Sequence, residues 1–222
     1  MGAFAQLSAC FRNGLIPTAE RLGYSESNLL ILEGNELELR RRYPEVYNNL
    51  LSCAHNKDNR TYMEYAQDLV ASWVFEDFIM DELEGARLEI TKAGADKNRT
   101  ILAHASVSAD SDYSVEWEGK SVLMELMSDY TGYWARTGCM DLRDSKYLKL
   151  ERNRSLFLGI STQDRVFIFM DFNDDIPARY ISSHRPYGGK PAYQIRVNED
   201  MLVPFNIERL VETIKSAISI RA

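Results

Sequence analysis

A single carboxylate inside an otherwise apolar run most constrains how this chain can fold. Residues 122–127 read Val-Leu-Met-Glu-Leu-Met, which predicts a strand buried on both faces in a central sheet. Glu125 lies inside this strand, and a buried ionised carboxylate is costly unless it is paired or binds a cation. Glu125 is therefore the first candidate for a functional residue.

The residues before this strand predict a hairpin that brings a second carboxylate to Glu125. The Glu-Gly pair at 118–119 is the favoured reversal, because glycine readily adopts the positive φ of a tight turn. With a two-residue loop, Asp112 lies directly opposite Glu125. Asp110 and Met127 then face each other one step along, on the same side of the sheet. Facing carboxylates repel each other, and a divalent cation that bridges them would turn this repulsion into a binding site. One extra loop residue would shift the pairing.

Length and composition allow an ordinary globular protein. The 222 residues suffice for one large domain or a domain with a small appendage, and the fractions of 45% hydrophobic and 27% charged residues are typical of globular proteins. No apolar run approaches ~20 residues, so no membrane-spanning helix is expected. The first residues lack the basic flank and the apolar core of a signal peptide.

Charge and cysteine content bear on partners and compartment. The cysteines, Cys10, Cys53 and Cys139, are odd in number and widely spread, which fits neither a disulfide framework nor a zinc site and favours a reducing cytoplasm. The net charge of −7 argues against a general nucleic-acid coat protein. It is compatible with a nuclease, because phosphate contact needs only a local basic surface.

We expect a helical N-terminal region, residues 1–60, packed on an α/β core over residues 61–222 in one continuous domain. Thr61 and Glu64 form a capping box that begins a helix ending near Leu83. Glu76 lies at the edge of the apolar face of this helix. It is either a boundary residue whose carboxylate reaches water or an acid aimed at the hairpin site.

The C-terminal half alternates predicted strands with basic segments. Asp141 is expected to cap a helix over 142–150, on which Arg143, Lys146 and Lys149 recur every third residue as one basic face. Such a face is usually just solvated, but this one directly follows the candidate site. Two apolar strands are expected at 155–160 and 165–170. Residues 179–197 are expected to form a basic arm with an aromatic tip that could read a DNA groove. A last helix, capped by Asn206, is expected at 207–218.

The order of these elements resembles that of the PD-(D/E)xK nuclease superfamily over roughly Tyr62 to Phe172. A helix bearing an acid is followed by a strand, a hairpin with Asp on one strand and Glu on the next, a basic helix and another strand. The Asp element is Ser111-Asp112-Tyr113, and the (D/E)xK element is Glu125-Leu126-Met127. The resemblance implies a restriction-endonuclease-like α/β fold, in which a mixed central β-sheet is flanked by helices.

The resemblance also implies a magnesium-dependent deoxyribonuclease, an endonuclease of restriction type. Asp112 and Glu125 would hold one or two Mg²⁺ ions, with Mn²⁺ as an alternative, and Glu76 would be an additional acid. Magnesium prefers hard oxygen ligands and keeps several waters, one of which can be deprotonated as the nucleophile. Cutting both strands of a duplex commonly uses two copies of a site, so a homodimer is expected. The candidate phosphate or base contacts are Arg143, Lys149, Arg179 and Arg185.

The lysine of the motif is missing, because position 127 is Met. A lysine beside the metal would position the attacking water and stabilise the developing negative charge. Lys146, on the next helix, is a candidate substitute. Alternatively, the protein binds nucleic acid without cutting it, or Met127 was introduced in place of a native lysine.

Two rival functions come from other classes of protein. One is a catalytically inactive nuclease fold that acts as a DNA-binding or assembly module. The other is a metal-free α/β domain in which Asp112 and Glu125 are ordinary acids at a sheet edge. The three histidines are too scattered for a zinc motif, and the sequence has neither a Gly-rich phosphate loop nor a nucleophile elbow. His104, near the hairpin, is either a catalytic neighbour or a structural residue.

Overall fold

The run that carries Glu125 forms strand β3 (Lys120–Asp129), which has a strand on either side in a mixed sheet. The computed structural model describes residues 3–11, 13–54, 60–94, 97–103 and 111–221. Asp110 and His104, both named above, lie outside these residues. The predicted mixed α/β class with a helical N-terminal region is confirmed. Within the described ranges, no helix is long and apolar enough to span a membrane.

The chain divides into two compact units, which are not contiguous in sequence. The first comprises Met1–Asp81 and Ala95–Ser108, and the second comprises Glu82–Gly94 and Ala109–Ala222. Residue 60, the predicted end of the N-terminal region, lies within the first unit. The long helix that follows residue 60 packs mainly with the N-terminal helices, so it belongs to the helical unit rather than to the sheet unit.

The first unit is built from short helices with polar caps. The side chains of Ser25 and Asn35 accept hydrogen bonds from backbone N–H groups in the first turns of the helices that follow them, Glu26–Leu32 and Glu36–Arg42. The predicted capping box is confirmed, because Glu64 N donates to Thr61 Oγ1 at 3.2 Å and Thr61 N donates to Glu64 Oε2 at 2.8 Å. The helices are α1 (Ala3–Ser8), α2 (Leu15–Arg21), α3 (Glu26–Leu32), α4 (Glu36–Arg42), α5 (Pro44–Ala54) and α6 (Tyr62–Gly85), whose last turn belongs to the second unit.

The second unit contains two sheets. In the described residues, the larger has six strands in the order β1-β2-β3-β5-β6-β9, and the smaller has the order β4-β8-β7. Strands β3 and β5 run parallel, and every other neighbouring pair is antiparallel. The remaining elements are β1 (Glu89–Lys92), β2 (Tyr113–Trp117), α7 (Tyr133–Thr137), β4 (Cys139–Arg143), α8 (Asp144–Asn153), β5 (Leu156–Ser161), β6 (Val166–Asp171), β7 (Ala178–His184), β8 (Lys190–Arg196), β9 (Val203–Pro204) and α9 (Ile207–Ser219).

The hairpin between β2 and β3 has the predicted two-residue loop. Glu118 and Gly119 both have positive φ, at 52° and 75°, as a tight turn between twisted strands requires. Tyr113 therefore pairs with Met124, and Trp117 pairs with Lys120. This register is the one that brings Asp112, one residue before β2, opposite Glu125.

The core beside this hairpin lies between the two sheets. Phe157 and Met170 of the larger sheet and Ile195 of the smaller one belong to a single buried apolar cluster. Trp134 completes it by packing over Gly159, where an added Cβ would lie 2.9 Å from the indole ring. This close approach explains why a glycine interrupts the apolar strand β5.

The helix cap predicted at Asp141 is wrong. Asp141 lies in the middle of β4, paired with Gln194 of β8, and the helix α8 begins at Asp144. The short segment Cys139–Arg143 forms a strand because Met140 and Leu142 are buried in the core, which leaves Asp141 on the opposite face. The cap predicted at Asn206 is confirmed, because its Oδ1 accepts a hydrogen bond from Arg209 N at 2.9 Å.

Candidate active site

Asp112 is held at the point where β2 begins. Its backbone carbonyl accepts a hydrogen bond from Ala93 N at 2.7 Å. Its Oδ2 accepts from Leu126 N at 3.0 Å, one residue beyond Glu125 on β3. Because Asp112 lies just before β2, its carboxylate takes the place of a β2 carbonyl as the acceptor for the Leu126 N–H group. This hydrogen bond fixes the carboxylate next to Glu125.

Glu125 is buried and paired with a lysine from another element. Its residue exposure is 7%, and its Oε1 lies 2.5 Å from Lys146 Nζ. Lys146 stands in the first turn of α8, and its side chain is 25% exposed. Among the described residues, no permanent N–H or O–H donor reaches Oε2 of Glu125, so this buried oxygen is open to a proton shared with Asp112 or to a cation.

The pair of acids retains a proton more strongly than isolated carboxyl groups do. Burial and then the negative charge of Asp112 raise the pKa of Glu125 to about 8, although Lys146 acts in the opposite direction. A hydrogen bond with Asp112 favours the protonated form further. The proton belongs to the pair, and a cation that bound both carboxylates would displace it.

Without divalent ions, we expect the free energy of unfolding to fall as the pH rises from about 5 to 8.5. The folded protein keeps a proton on Glu125 that the unfolded chain, with its ordinary pKa of 4.5, has already lost. Each pH unit in this window then lowers the free energy of unfolding by up to about 1.4 kcal/mol. Urea unfolding of wild type and Glu125→Gln at three pH values measures the difference. Parallel pH profiles of the two proteins would contradict the raised pKa.

Met127 packs against the core. By strand alternation it lies on the same face of β3 as Glu125, and it contacts the buried cluster that contains Trp134. It pairs in register with Gly159 of β5. Position 127 is thus an apolar support beside the carboxylate, and the nearest ammonium group to Glu125 comes from α8.

The two carboxylates and their surroundings fit a single hard cation. Among the described residues, no group of three or more His, Cys, Asp or Glu side chains is arranged to hold a metal ion. Magnesium is commonly bound by only one or two carboxylates and keeps several waters, so Asp112 and Glu125 are a sufficient donor set. Once the shared proton is displaced, Oε2 of Glu125 gives this cation a ligand atom.

The other predicted site residues lie in the first unit, on α8 or next to it, and on the β7–β8 hairpin. Glu76 is in the first unit, where its Oε2 lies 3.1 Å from Arg99 Nη2. Arg143 is the residue before α8, whereas Lys149 lies within that helix and is half-buried. Arg179 is exposed on β7, and Arg185 is exposed in the turn Arg185–Tyr187 between β7 and β8.

A second polar cluster was missed by sequence reasoning. Asp141 is 7% exposed and accepts hydrogen bonds from Tyr133 Oη and Gln194 Nε2, both at 2.9 Å. His184 Nε2 lies 3.2 Å from its Oδ2, and Tyr187 Oη donates to its carbonyl at 2.6 Å. The cluster joins β4 to the β7–β8 hairpin. No local sequence pattern predicts it, because its members come from four separate segments.

Neither the comparison with protein-family models nor the search of curated proteins finds a match for this chain. The chemistry of Asp112, Glu125 and Lys146 therefore carries the functional argument.

Proposed function

We propose that this protein is a magnesium-dependent endonuclease that hydrolyses phosphodiester bonds of DNA. The single observation that carries the proposal is the contact between Lys146 Nζ and the buried Glu125, with Asp112 beside it on the neighbouring strand. These residues supply the two acids and the lysine of a PD-(D/E)xK site, with the lysine on α8 instead of at position 127.

The order and pairing of the elements support the proposal. Helix α6 is followed by β1 and by the β2–β3 hairpin with its two acids, and then, after α7 and β4, by α8 with its lysine and by β5 parallel to β3. This is the order on which the resemblance to the superfamily rests. Lys146 also accounts for the missing lysine without an introduced Met127, because an ammonium group already reaches the carboxylate.

Each residue has a distinct role in this proposal. Asp112 and Glu125 hold Mg²⁺, with Mn²⁺ as an alternative. A bound divalent ion supplies a Lewis acid and lowers the pKa of water. Lys146 has three N–H donors, of which the contact with Glu125 uses one, so the others can orient a water and neutralise charge on the phosphate.

The proposed substrate contacts are basic residues, and the proposed assembly is a homodimer. Two active sites related by a two-fold axis match the two antiparallel strands of a duplex, so a dimer can cut both strands in one encounter. The phosphate or base contacts proposed from the sequence are Arg143, Lys149, Arg179 and Arg185.

Incubation of the full chain with supercoiled plasmid tests the activity. We expect Mg²⁺ or Mn²⁺ to support cleavage and EDTA to abolish it. Asp112→Asn should lower the rate by at least about 100-fold, because it removes a metal ligand. Glu116→Gln, an exposed acid on β2, is the matched control and should cut at the wild-type rate. A dimer should yield linear DNA without accumulation of the nicked circle.

Two results would support the rival functions instead. Retained DNA binding without cleavage, in wild type and in Met127→Lys, would favour a non-catalytic DNA-binding or assembly module. Absence of Mg²⁺ and Mn²⁺ binding by calorimetry would favour a metal-free α/β domain with ordinary acids at this position.

A further inference from the structure

The segment that forms the β7–β8 hairpin is locally basic in an acidic protein. Residues 176–198 contain no Asp or Glu and include the basic residues Arg179, Arg185, Lys190 and Arg196, whereas the whole chain has a net charge of −7. An acid-free stretch of this length concentrates positive charge on one hairpin, and a local cluster of positive charge attracts polyanions.

The register of the smaller sheet places three arginines on one face. Asp141 and Arg179 both pair with Gln194, so Arg143, Arg179 and Arg196 alternate onto the same side as Gln194. The other side, with Met140, packs into the core. All three arginines are exposed, and we name this surface the arginine face.

The three guanidinium groups are available to an external anion. None of the three forms an ion pair with any residue in the described ranges, in contrast to Arg21 and Arg221, which pair with acids. Strand geometry separates their Cα atoms by roughly 8–14 Å across the sheet. This spread is comparable to the major groove, which is ≈ 12 Å wide between phosphate backbones.

The arginine face is held rigidly by the polar cluster around Asp141, which lies on the same side of the sheet among the arginines. Asp141 binds His184 and Gln194 and thereby joins all three strands. The guanidinium of Arg143 stacks on Tyr187 at 5.4 Å from the ring centroid. Side chains mounted on a fixed sheet lose less conformational entropy on binding than side chains on loops.

We propose that the arginine face binds the phosphate backbone of duplex DNA. This inference rests on the proposed function and deepens it. Arg143 lies three residues before Lys146, the lysine that contacts Glu125, so the chain leads directly from this face to the proposed catalytic pair. Arg196 thereby joins the substrate contacts, and Arg143 and Arg179 acquire a specific role as phosphate contacts.

Fluorescence anisotropy with a labelled 30-base-pair duplex tests the proposal. EDTA prevents cleavage, and Kd is measured over a series of NaCl concentrations for the full chain. Replacing all three arginines by glutamine should reduce the slope of log Kd against log salt by about three, and weaken binding by about 100-fold at 100 mM NaCl. The triple Arg→Lys variant, which keeps the charges, should retain the wild-type slope.

A second triple variant removes the same charge elsewhere in the second unit. The exposed residues Arg152, Arg165 and Arg209 are replaced by glutamine, and this variant should keep the wild-type slope. An equal reduction of the salt slope in both triple glutamine variants would overturn the proposal, because DNA binding would then depend on the number of positive charges and not on their position. Tighter binding of duplex RNA through the same three arginines would overturn the choice of DNA.

The two proposals fail in distinguishable ways. An unchanged salt slope in the arginine triple, together with metal-dependent cleavage by wild type, would reject the arginine face alone. A reduced slope without any cleavage would keep the arginine face and reject the nuclease activity. Circular dichroism of each variant confirms that the fold is retained.

Discussion

Replacing Lys146 by methionine is expected to lower the rate of DNA cleavage by about 10²–10³-fold, the usual cost of removing one preorganised group that stabilises transition-state charge. Lys146 is the cation in contact with Glu125, and methionine keeps most of its stem volume while removing the ammonium. Plasmid cleavage under single-turnover conditions with saturating Mg²⁺ measures the effect on the chemical step.

A lysine swap tests whether position 127 and position 146 serve the same chemistry. Met127 lies on the same face of β3 as Glu125. Adding Met127→Lys to Lys146→Met should therefore raise the cleavage rate at least tenfold above that of Lys146→Met alone. Met127→Lys alone should not exceed the wild type, because Lys146 already reaches the carboxylate. A large gain from Met127→Lys alone would instead indicate that Met127 replaced a native lysine.

The matched control for this series is Arg152→Met. It removes one positive charge from the other end of α8, where Arg152 is exposed. Wild-type cleavage by this variant would assign the effect to the Glu125 contact. Wild-type cleavage activity in Lys146→Met would contradict the assignment of Lys146 as the catalytic lysine.

Replacing Arg99 by methionine should destabilise the first unit by about 3–5 kcal/mol, because it removes the counter-charge that Arg99 supplies to a buried carboxylate. Arg99 is 7% exposed, and its Nε and Nη2 contact both oxygens of the equally buried Asp77. Its backbone carbonyl also accepts a hydrogen bond from Asn28 Nδ2 at 2.7 Å. Urea unfolding followed by far-UV circular dichroism measures the loss.

Arg21→Met provides the comparison on the same unit. Arg21 pairs with Asp81 at 2.7 Å, but both side chains are about half exposed, at 52% and 43%, so its loss should cost no more than about 1 kcal/mol. In a second comparison, Asp77→Leu added to Arg99→Met should recover much of the stability, because the buried carboxylate that Arg99 neutralised is then gone. Equal effects of Arg99→Met and Arg21→Met would refute a special role for burial.

The parts predicted correctly are those that depend on neighbours in the chain. The hairpin register follows from the two-residue turn at Glu118-Gly119, which sets every later pair of β2 and β3. The caps at Thr61 and Asn206 follow from side chains that bind amides three residues on. Asp141 was misassigned because the same local signal, an acid before an amphipathic segment, also occurs in a short strand.

The sequence by itself determined the α/β class and the approach of Asp112 to Glu125, because strand alternation and turn geometry act over a few residues. It named Lys146 as a candidate but did not decide between that lysine and an introduced Met127. Only the tertiary structure brought Lys146 to Glu125, since the length and placement of β4 set where α8 begins. The arginine face likewise exists only after β4, β8 and β7 pair, because contacts between distant segments depend on packing that no local pattern encodes.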